Sequence, residues 1–334
     1  MEFILKSSAF SGLREIDRYP QAICPSQNSS QKLIEEMITQ VVHLHPDLEY
    51  IHIGCDEVYH MGVCPYCVDK MTKMNWGKNE VFIDHVKWVA NFVISTFGHI
   101  RPMIWDDEFR KLDRSSIIDS GLGSLVDIVV WNYVSDVEIK LDDALWSKYS
   151  KVFRSVWIGS AFKGANKVNS IVVNETLYLR NHFSWMDIVE KYENQISFKG
   201  IILTGWQRYD HFSVLCEVLP VAIPSLASCL FYVDSLYKLS IPKVIARTAT
   251  QLQCQSTESF FACAFPGYEM YEAMESFDNV KVCCVLKLYF NHLHDHLRIL
   301  LSACGAQINS CPCLSFSVQI CSVTKNFCLS WMGG

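Results

Sequence analysis

Positive charge is scarce in this chain. Nowhere do five Lys or Arg stand in a row, and 29 Lys+Arg against 35 Asp+Glu leave a formal net charge of −6. No basic footprint for a polyanion exists, so a nucleic-acid partner is excluded. Long apolar runs are missing too. The longest uncharged stretch in the middle of the chain lies between Glu217 and Asp234 and is broken by Pro220 and Pro224. It is too short to span a bilayer, so buried core is expected there and no membrane partner. The opening residues MEFILKSSAF contain no basic stretch leading into an apolar core, which predicts no signal peptide. Against these absences stands a hydrophobic share of 50% with only 19% charged residues. That is ample material for a core and excludes a disordered chain over most of the length. Fifteen cysteines are many, but the count is odd and they are spread along the chain. Reduced thiols in the cytoplasm, or the nucleus, are therefore expected.

From residue 31 helical and strand patterns alternate. Ile34, Met37, Ile38, Val41 and Val42 predict a helix over 31–44, capped by Asn28-Ser29-Ser30. A strand is expected at 50–53, then a helix over 79–97 with Phe82, Val86, Val89, Phe92 and Val93 inward. Further strands are expected at 101–105, 126–132, 152–158 and 200–205, with helices near 142–149 and 174–192. The last helix would bury Leu177, Leu179, Phe183, Met186 and Val189. Strand and helix in alternation argue for an α/β fold with a parallel sheet. No strand is followed by G-x-G-x-x-G or G-x-x-x-x-G-K, which disfavours a nucleotide-binding sheet and favours a (β/α)8 TIM-type barrel. In a barrel the chemistry sits at the carboxyl ends of strands. Residues 1–240 are read as this partial barrel, 241–301 as a helical extension, and 302–334, with five cysteines and one charge at Lys325, as a low-order tail.

The strand ends carry two kinds of group. In Tyr50-Ile51-His52-Ile53-Gly54-Cys55-Asp56-Glu57, alternation puts His52, Gly54 and Asp56 on one face, with Asp56 and Glu57 at the strand's exit. Two neighbouring carboxylates can divide the roles of general acid and charged stabiliser. An Asp-Glu pair is also expected by chance in a chain this long, and Asp107-Glu108 is a second. The other strand ends are aromatic: Trp105-Asp106-Asp107, Trp131-Asn132-Tyr133, Trp157, and Trp206-Gln207-Arg208-Tyr209-Asp210. Aromatic walls beside polar groups suit a sugar ring, which has apolar C–H faces and hydroxyl edges.

These segments resemble a known family. His52-Ile-Gly-Cys-Asp-Glu57 is similar to the H-x-G-G/C-D-E signature of glycoside hydrolase family 20, and Cys55 resembles its hexosaminidase D branch. Trp105-Asp106-Asp107, Ser160 to Ala165, and Leu203-Thr-Gly-Trp-Gln-Arg-Tyr-Asp210 follow in the family's order, and the similarity runs from residue 1 to about 235, and more weakly to about 300. The resemblance implies removal of terminal β-linked N-acetylhexosamine by a retaining, substrate-assisted mechanism. Glu57 would be the acid/base, and Asp56 would orient the 2-acetamido group. His52, Trp105, Asp106, Trp131, Tyr133, Trp206, Arg208 and Asp210 would bind substrate. Arg208 stands where many members carry a sugar-binding Glu, so that role would pass to Asp210. The signature follows the fourth strand of the family's barrel but the first clear strand here. Strands four to eight are therefore the visible ones, and an N-terminal part of roughly 80–95 residues is expected to be missing. The partner implied is an N-acetylhexosamine-containing glycan, and a homodimer is admitted. The competing reading is a catalytically silent carbohydrate-binding or interaction protein on the same fold.

Cys64-Pro65-Tyr66-Cys67 has redox or metal spacing. It is expected in a loop, where a pair of free thiols is the plainer reading. A zinc site needs four ligands, and only His60 lies near as a third. No metal and no cofactor are expected.

Overall fold

A computed structural model of the chain describes residues 1–210, 213–235 and 238–280. It forms one compact unit from Met1 to Tyr271, and a second unit begins at Glu272. The first unit opens with a short helix, α1 (Glu2–Leu5), and an antiparallel hairpin of β1 (Arg14–Ile16) and β2 (Tyr19–Ile23). Then come α2 (Asn28–Leu44), β3 (Tyr50–His52), α3 (Pro65–Met74), α4 (Lys78–Phe97) and β4 (Arg101–Trp105). Three short helices follow, α5 (Asp107–Arg110), α6 (Arg114–Ser120) and α7 (Leu122–Leu125), leading into β5 (Asp127–Trp131). The remainder is α8 (Asp143–Tyr149), β6 (Val156–Lys163), α9 (Glu175–Tyr192), β7 (Phe198–Gly205), α10 (Leu219–Asp234) and α11 (Ile241–Gln251).

Strands β3 to β7 form one parallel sheet in sequential order. Sequential parallel strands with helical crossovers build the wall of a barrel, and the fold is an incomplete (β/α)8 barrel. Period-two alternation sorts the side chains. Ile104, Ile128, Val130 and Ile158 face the helices, buried with Phe82, Val86, Phe109, Trp146, Trp185 and Ile188. Burying each such isoleucine contributes about 2 kcal/mol. Met103, Trp105 and Val129 lie on the other face, with Tyr50, Trp131, Trp157 and Ile202 packed against them. At the foot of the sheet Asp127 receives Arg101 Nε at 2.8 Å and Trp157 Nε1 at 3.2 Å.

Several expectations shift. Helix α2 starts at Asn28, with Gln27 rather than the Asn-Ser-Ser run at its cap. Strand β6 starts at Val156, because Val152 and Phe153 close the turn after α8 through bonds to the Tyr149 carbonyl. Trp157 is therefore near the start of its strand, not at its end. The fully buried stripe of α9 is Tyr178, Leu179, Asn181, His182, Trp185, Ile188 and Tyr192; of the expected stripe Leu179 belongs to it, and Phe183, Met186 and Val189 pack against the core partly buried. Its two polar members disguise it in the sequence, and both bond internally: Asn181 Nδ2 to the Asn132 and Val134 carbonyls, His182 Nε2 with Ser160 Oγ at 3.0 Å. The uncharged stretch after Glu217 is α10, burying Val221, Ala222, Pro224, Cys229 and Tyr232. Helix α11 packs on α9 and α10 through Val244, and the first unit runs on to Tyr271. Residues 281–334, including the expected tail, lie outside the described residues. Cys254 and Cys263 are joined in a disulfide, a correction to the expectation of reduced thiols. Backbone bonds from Gln255 to Phe261 and from Ala264 to Leu252 bring the two together. Among the described residues Cys24, Cys55, Cys64, Cys67, Cys216 and Cys229 are free. Among the described residues no helix is long and apolar enough to cross a membrane.

Candidate active site

The carboxyl ends of β3, β4, β5 and β7 converge. Trp105 ends β4, Trp131 ends β5 and Trp206 follows β7. Their rings form a continuous wall: His52 to Trp105 at 4.3 Å between centroids, Trp105 to Trp206 at 6.2 Å, Trp206 to Tyr133 at 6.4 Å, and Tyr133 stacked on Trp131 at 5.2 Å. Gly159 of β6 makes this possible, since a Cβ there would stand 2.9 Å from both Trp105 Cζ3 and Trp131 Cβ. Tyr133 lies within reach of Thr204 and the Trp206 indole, and burial holds its hydroxyl above the ordinary tyrosine range.

The carboxylates come from the loop after β3. Strand geometry stops at His52, so alternation does not carry to Asp56 as the sequence pattern suggested. Instead Gly54, Cys55, Glu57, His60 and Gly62 all take positive φ, between 46° and 76°. Cys55 at φ 66° explains why its place in the signature suits glycine. Asp56 and Glu57 are exposed at this turn. Tyr59 is hydrogen-bonded to Glu57, and burial, then the Glu57 charge, raise its hydroxyl. The charges of Asp56 and Asp107 are both felt at Tyr133 and at Cys55, whose thiol burial pushes up to about 12. The turn is tied to α5: Asp107 Oδ2 accepts the Glu57 N–H at 2.8 Å, and Glu108 Oε1 accepts the Val58 N–H at 3.2 Å. Asp107 Oδ1 also accepts Trp131 Nε1 at 3.2 Å. The second Asp-Glu pair, expected by chance, thus holds the first.

The remaining expected site residues divide. His52 lies beneath Trp105; its Nδ1 accepts the Gly54 N–H at 3.0 Å, its buried Nε2 has no partner among the described residues, and burial lowers it to about 4. Asp106 is fully buried, and both oxygens are occupied by protein: Arg110 at 2.6 and 2.5 Å, the Trp131 N–H at 3.2 Å and Tyr149 Oη at 3.1 Å. It reaches the site by holding Trp131 and Arg110, whose guanidinium lies 5.5 Å from the Trp131 ring centroid. Arg208 and Asp210 lie on the exposed turn past Trp206, where Asp210 Oδ1 accepts the Ser213 N–H at 2.9 Å. A carboxylate that the sequence reading passed over lies behind that turn. Glu217 is 1% exposed; its Oε2 accepts the Gly164 N–H, its Oε1 has no partner among the described residues, and burial raises it. It links the loops after β6 and β7, and its position beside the uncharged α10 stretch was the only signal in the sequence.

Residues 9–153 match the profile of the glycosyl hydrolase family 20 catalytic domain. Two relatives named hexosaminidase D are similar to this chain. One, from Bos taurus, is 40% identical over 237 residues, covering 69% of this chain and 66% of the relative. The other, from Homo sapiens, is 39% identical over 231 residues, covering 69% of this chain and 47% of the relative. The chain thus spans between about half and just under two thirds of their lengths. With the sequential parallel sheet and the ordered motifs at its strand ends, this match identifies the chain as a member of glycosyl hydrolase family 20.

Proposed function

We propose that the site hydrolyses a terminal β-linked N-acetylhexosamine, GlcNAc or GalNAc, from a glycan or glycoconjugate. The observation that carries this is the pair Asp56–Glu57 beside the wall of Trp105, Trp131, Tyr133 and Trp206 at one end of a parallel sheet. Glu57, at the rim and open to solvent, protonates the leaving oxygen and later activates water. The sugar's own acetamido oxygen attacks the anomeric carbon, so the protein supplies no nucleophile. Asp56 orients the acetamido N–H and, with Asp107, places negative charge where the cyclic cation forms. Tyr133 offers a hydroxyl to the acetamido group, and Trp206 an apolar platform. Six free thiols among the described cysteines favour a reducing setting, the cytoplasm or nucleus, and the Cys254–Cys263 disulfide weighs against it.

The test is turnover of a matched pair of aryl sugars, one with a 2-acetamido and one with a 2-hydroxyl group. The acetamido sugar should be cleaved with kcat/KM higher by orders of magnitude, and a thiazoline mimic of the cyclised intermediate should inhibit strongly. Equal cleavage of both would overturn the substrate-assisted reading. Binding of the acetamido sugar without turnover would favour a carbohydrate-binding protein. Among the described residues β3 and β7 each pair on one side only, the observation that keeps this second reading in view.

A further inference from the structure

The Cys-x-x-Cys pair does not lie in a loop. Cys64 is the N-cap of α3, with Pro65 in the first turn, and its Sγ accepts the Cys67 N–H at 3.4 Å. Two sulfurs therefore leave one helix start in fixed directions. A third arrives from the hairpin: Cys24 follows β2 and is pinned by its own N–H to the Leu13 carbonyl at 2.7 Å. Its Sγ lies 3.1 Å from Cys64 Sγ and 3.8 Å from Cys67 Sγ. Glu15, in the middle of β1, completes the group. Its Oε1 accepts the Val63 and Cys64 N–H groups at 2.6 and 3.0 Å, which leaves Oε2 facing Cys67 Sγ at 3.4 Å. All four ligand atoms lie within 4.8 Å of one another. The sulfurs are enclosed with Val81, Met71 and Trp76, and Glu15 is 3% exposed. His60, the third ligand considered from sequence, instead stacks on Tyr19.

A buried carboxylate needs a compensating positive charge. No Lys, Arg or His forms an ion pair with Glu15 among the described residues. Three thiols around it are weak donors. We propose that Glu15, Cys24, Cys64 and Cys67 bind one zinc ion in a closed, tetrahedral, structural site. Zinc–sulfur distances of about 2.3 Å and zinc–oxygen distances of about 2.0 Å put tetrahedral ligand atoms roughly 3.5–3.8 Å apart. The Cys24–Cys67 and Cys67–Glu15 separations meet that span, and the Cys24–Cys64 pair need only part by a fraction of an ångström. Soft thiolates select zinc over magnesium or calcium. The N–H donors on Cys64 Sγ and on Glu15 Oε1 are the outer contacts that orient such ligands. Four protein ligands leave no open position, so the ion is structural rather than catalytic. It joins the β1–β2 hairpin to the start of α3, the far anchor of the loop that carries Asp56 and Glu57. The competing outcome is a Cys24–Cys64 disulfide, which would leave Cys67 and Glu15 unserved.

The experiment is elemental analysis of the full chain, expressed with zinc in the medium and purified without chelator. One zinc per chain is expected, lost in Cys24→Ser and in Cys67→Ser. Glu15→Ala should weaken zinc at least ten-fold in competition with a chromogenic chelator, and Glu15→Cys should restore it. Because a serine variant can fail to fold, the wild type is also exchanged with cobalt(II). Tetrahedral d–d bands and thiolate-to-cobalt charge-transfer bands should appear, and zinc should bleach them. Metal-free wild type with a Cys24–Cys64 disulfide in its peptide map would overturn the proposal. So would one zinc that persists in folded Cys24→Ser and Cys67→Ser, since it would belong to other cysteines.

Discussion

Asp107 holds Glu57 by the backbone, its Oδ2 accepting the Glu57 N–H at 2.8 Å across a separation of 50 residues. The same carboxylate holds Trp131 by its indole. One side chain therefore sets both the position of Glu57 and that of the Trp131 ring. Asp107→Ala removes two charge-assisted bonds, each worth about 1.5–3 kcal/mol when buried and less at this exposed turn. On the proposed reaction, kcat/KM should fall about ten- to a hundred-fold, with a small change in melting temperature. Asp107→Asn, which keeps an acceptor oxygen, should recover part of the loss. Steady-state kinetics of the two variants decide it: equal activity of Asp107→Ala and wild type would refute the coupling.

Glu57→Gln keeps the shape of the turn and removes the transferable proton. It should lower kcat by about 10²–10⁴ on an ordinary N-acetylhexosaminide. A substrate with a very good leaving group should lose less, because it needs less protonation. A uniform loss across leaving groups would mean that Glu57 acts in some other way.

Gly159→Ala tests the aromatic wall. The new methyl group meets two tryptophans at 2.9 Å, so one of them must move. Overpacking of this kind costs about 1–3 kcal/mol. We expect a lower melting temperature together with a raised KM, read from thermal denaturation and from kinetics on the same preparation. A variant with the wild-type KM would show that the wall does not contact substrate.

Acid should loosen the fold through histidines. Burial lowers His52, His85 and His182 to about 4, against an unfolded value of about 6.5. Between these values the unfolded chain binds more protons than the folded one. Stability is thus complete above about 6.5 and is lost as pH falls toward 4, by up to about 1.4 kcal/mol per pH unit for each histidine. Denaturant midpoints measured from pH 7 to pH 4 should fall, and His182→Gln should flatten the slope by about one proton. Superimposable profiles would remove His182 from the account.

Much of this arrangement was legible in the sequence because it is local. Apolar periodicity marked β3, β4, β5 and β7 to within a residue or two, and the tryptophans at 105, 131 and 206 marked the carboxyl end of the sheet, where the proposed site lies. The signature at His52–Glu57 marked the carboxylates. What escaped was non-local or disguised. Asp107 looked like a chance neighbour of Glu108, because its partners lie 24 and 50 residues away. The three thiols and Glu15 stayed scattered because β1 and β2 are short, partly polar strands, with Pro20 inside the second. Helix α3 was hidden by its cysteine cap and its mixed polar turns. The buried face of α9 was legible only in part, because it includes Asn181, whose Nδ2 bonds to the Asn132 and Val134 carbonyls, and His182, bonded to Ser160, and no apolar periodicity reports either.

Glu57 has φ 46°, a backbone shape that glycine adopts freely and glutamate does not. Its N–H bond to Asp107 would survive loss of the side chain. A Glu57→Gly chain, inert in the proposed chemistry, should therefore match or exceed the wild type in stability, by up to about 1 kcal/mol. Durability and work are opposed at this one residue. A screen that selects only for thermal resistance would tend to discard the acid and keep the barrel.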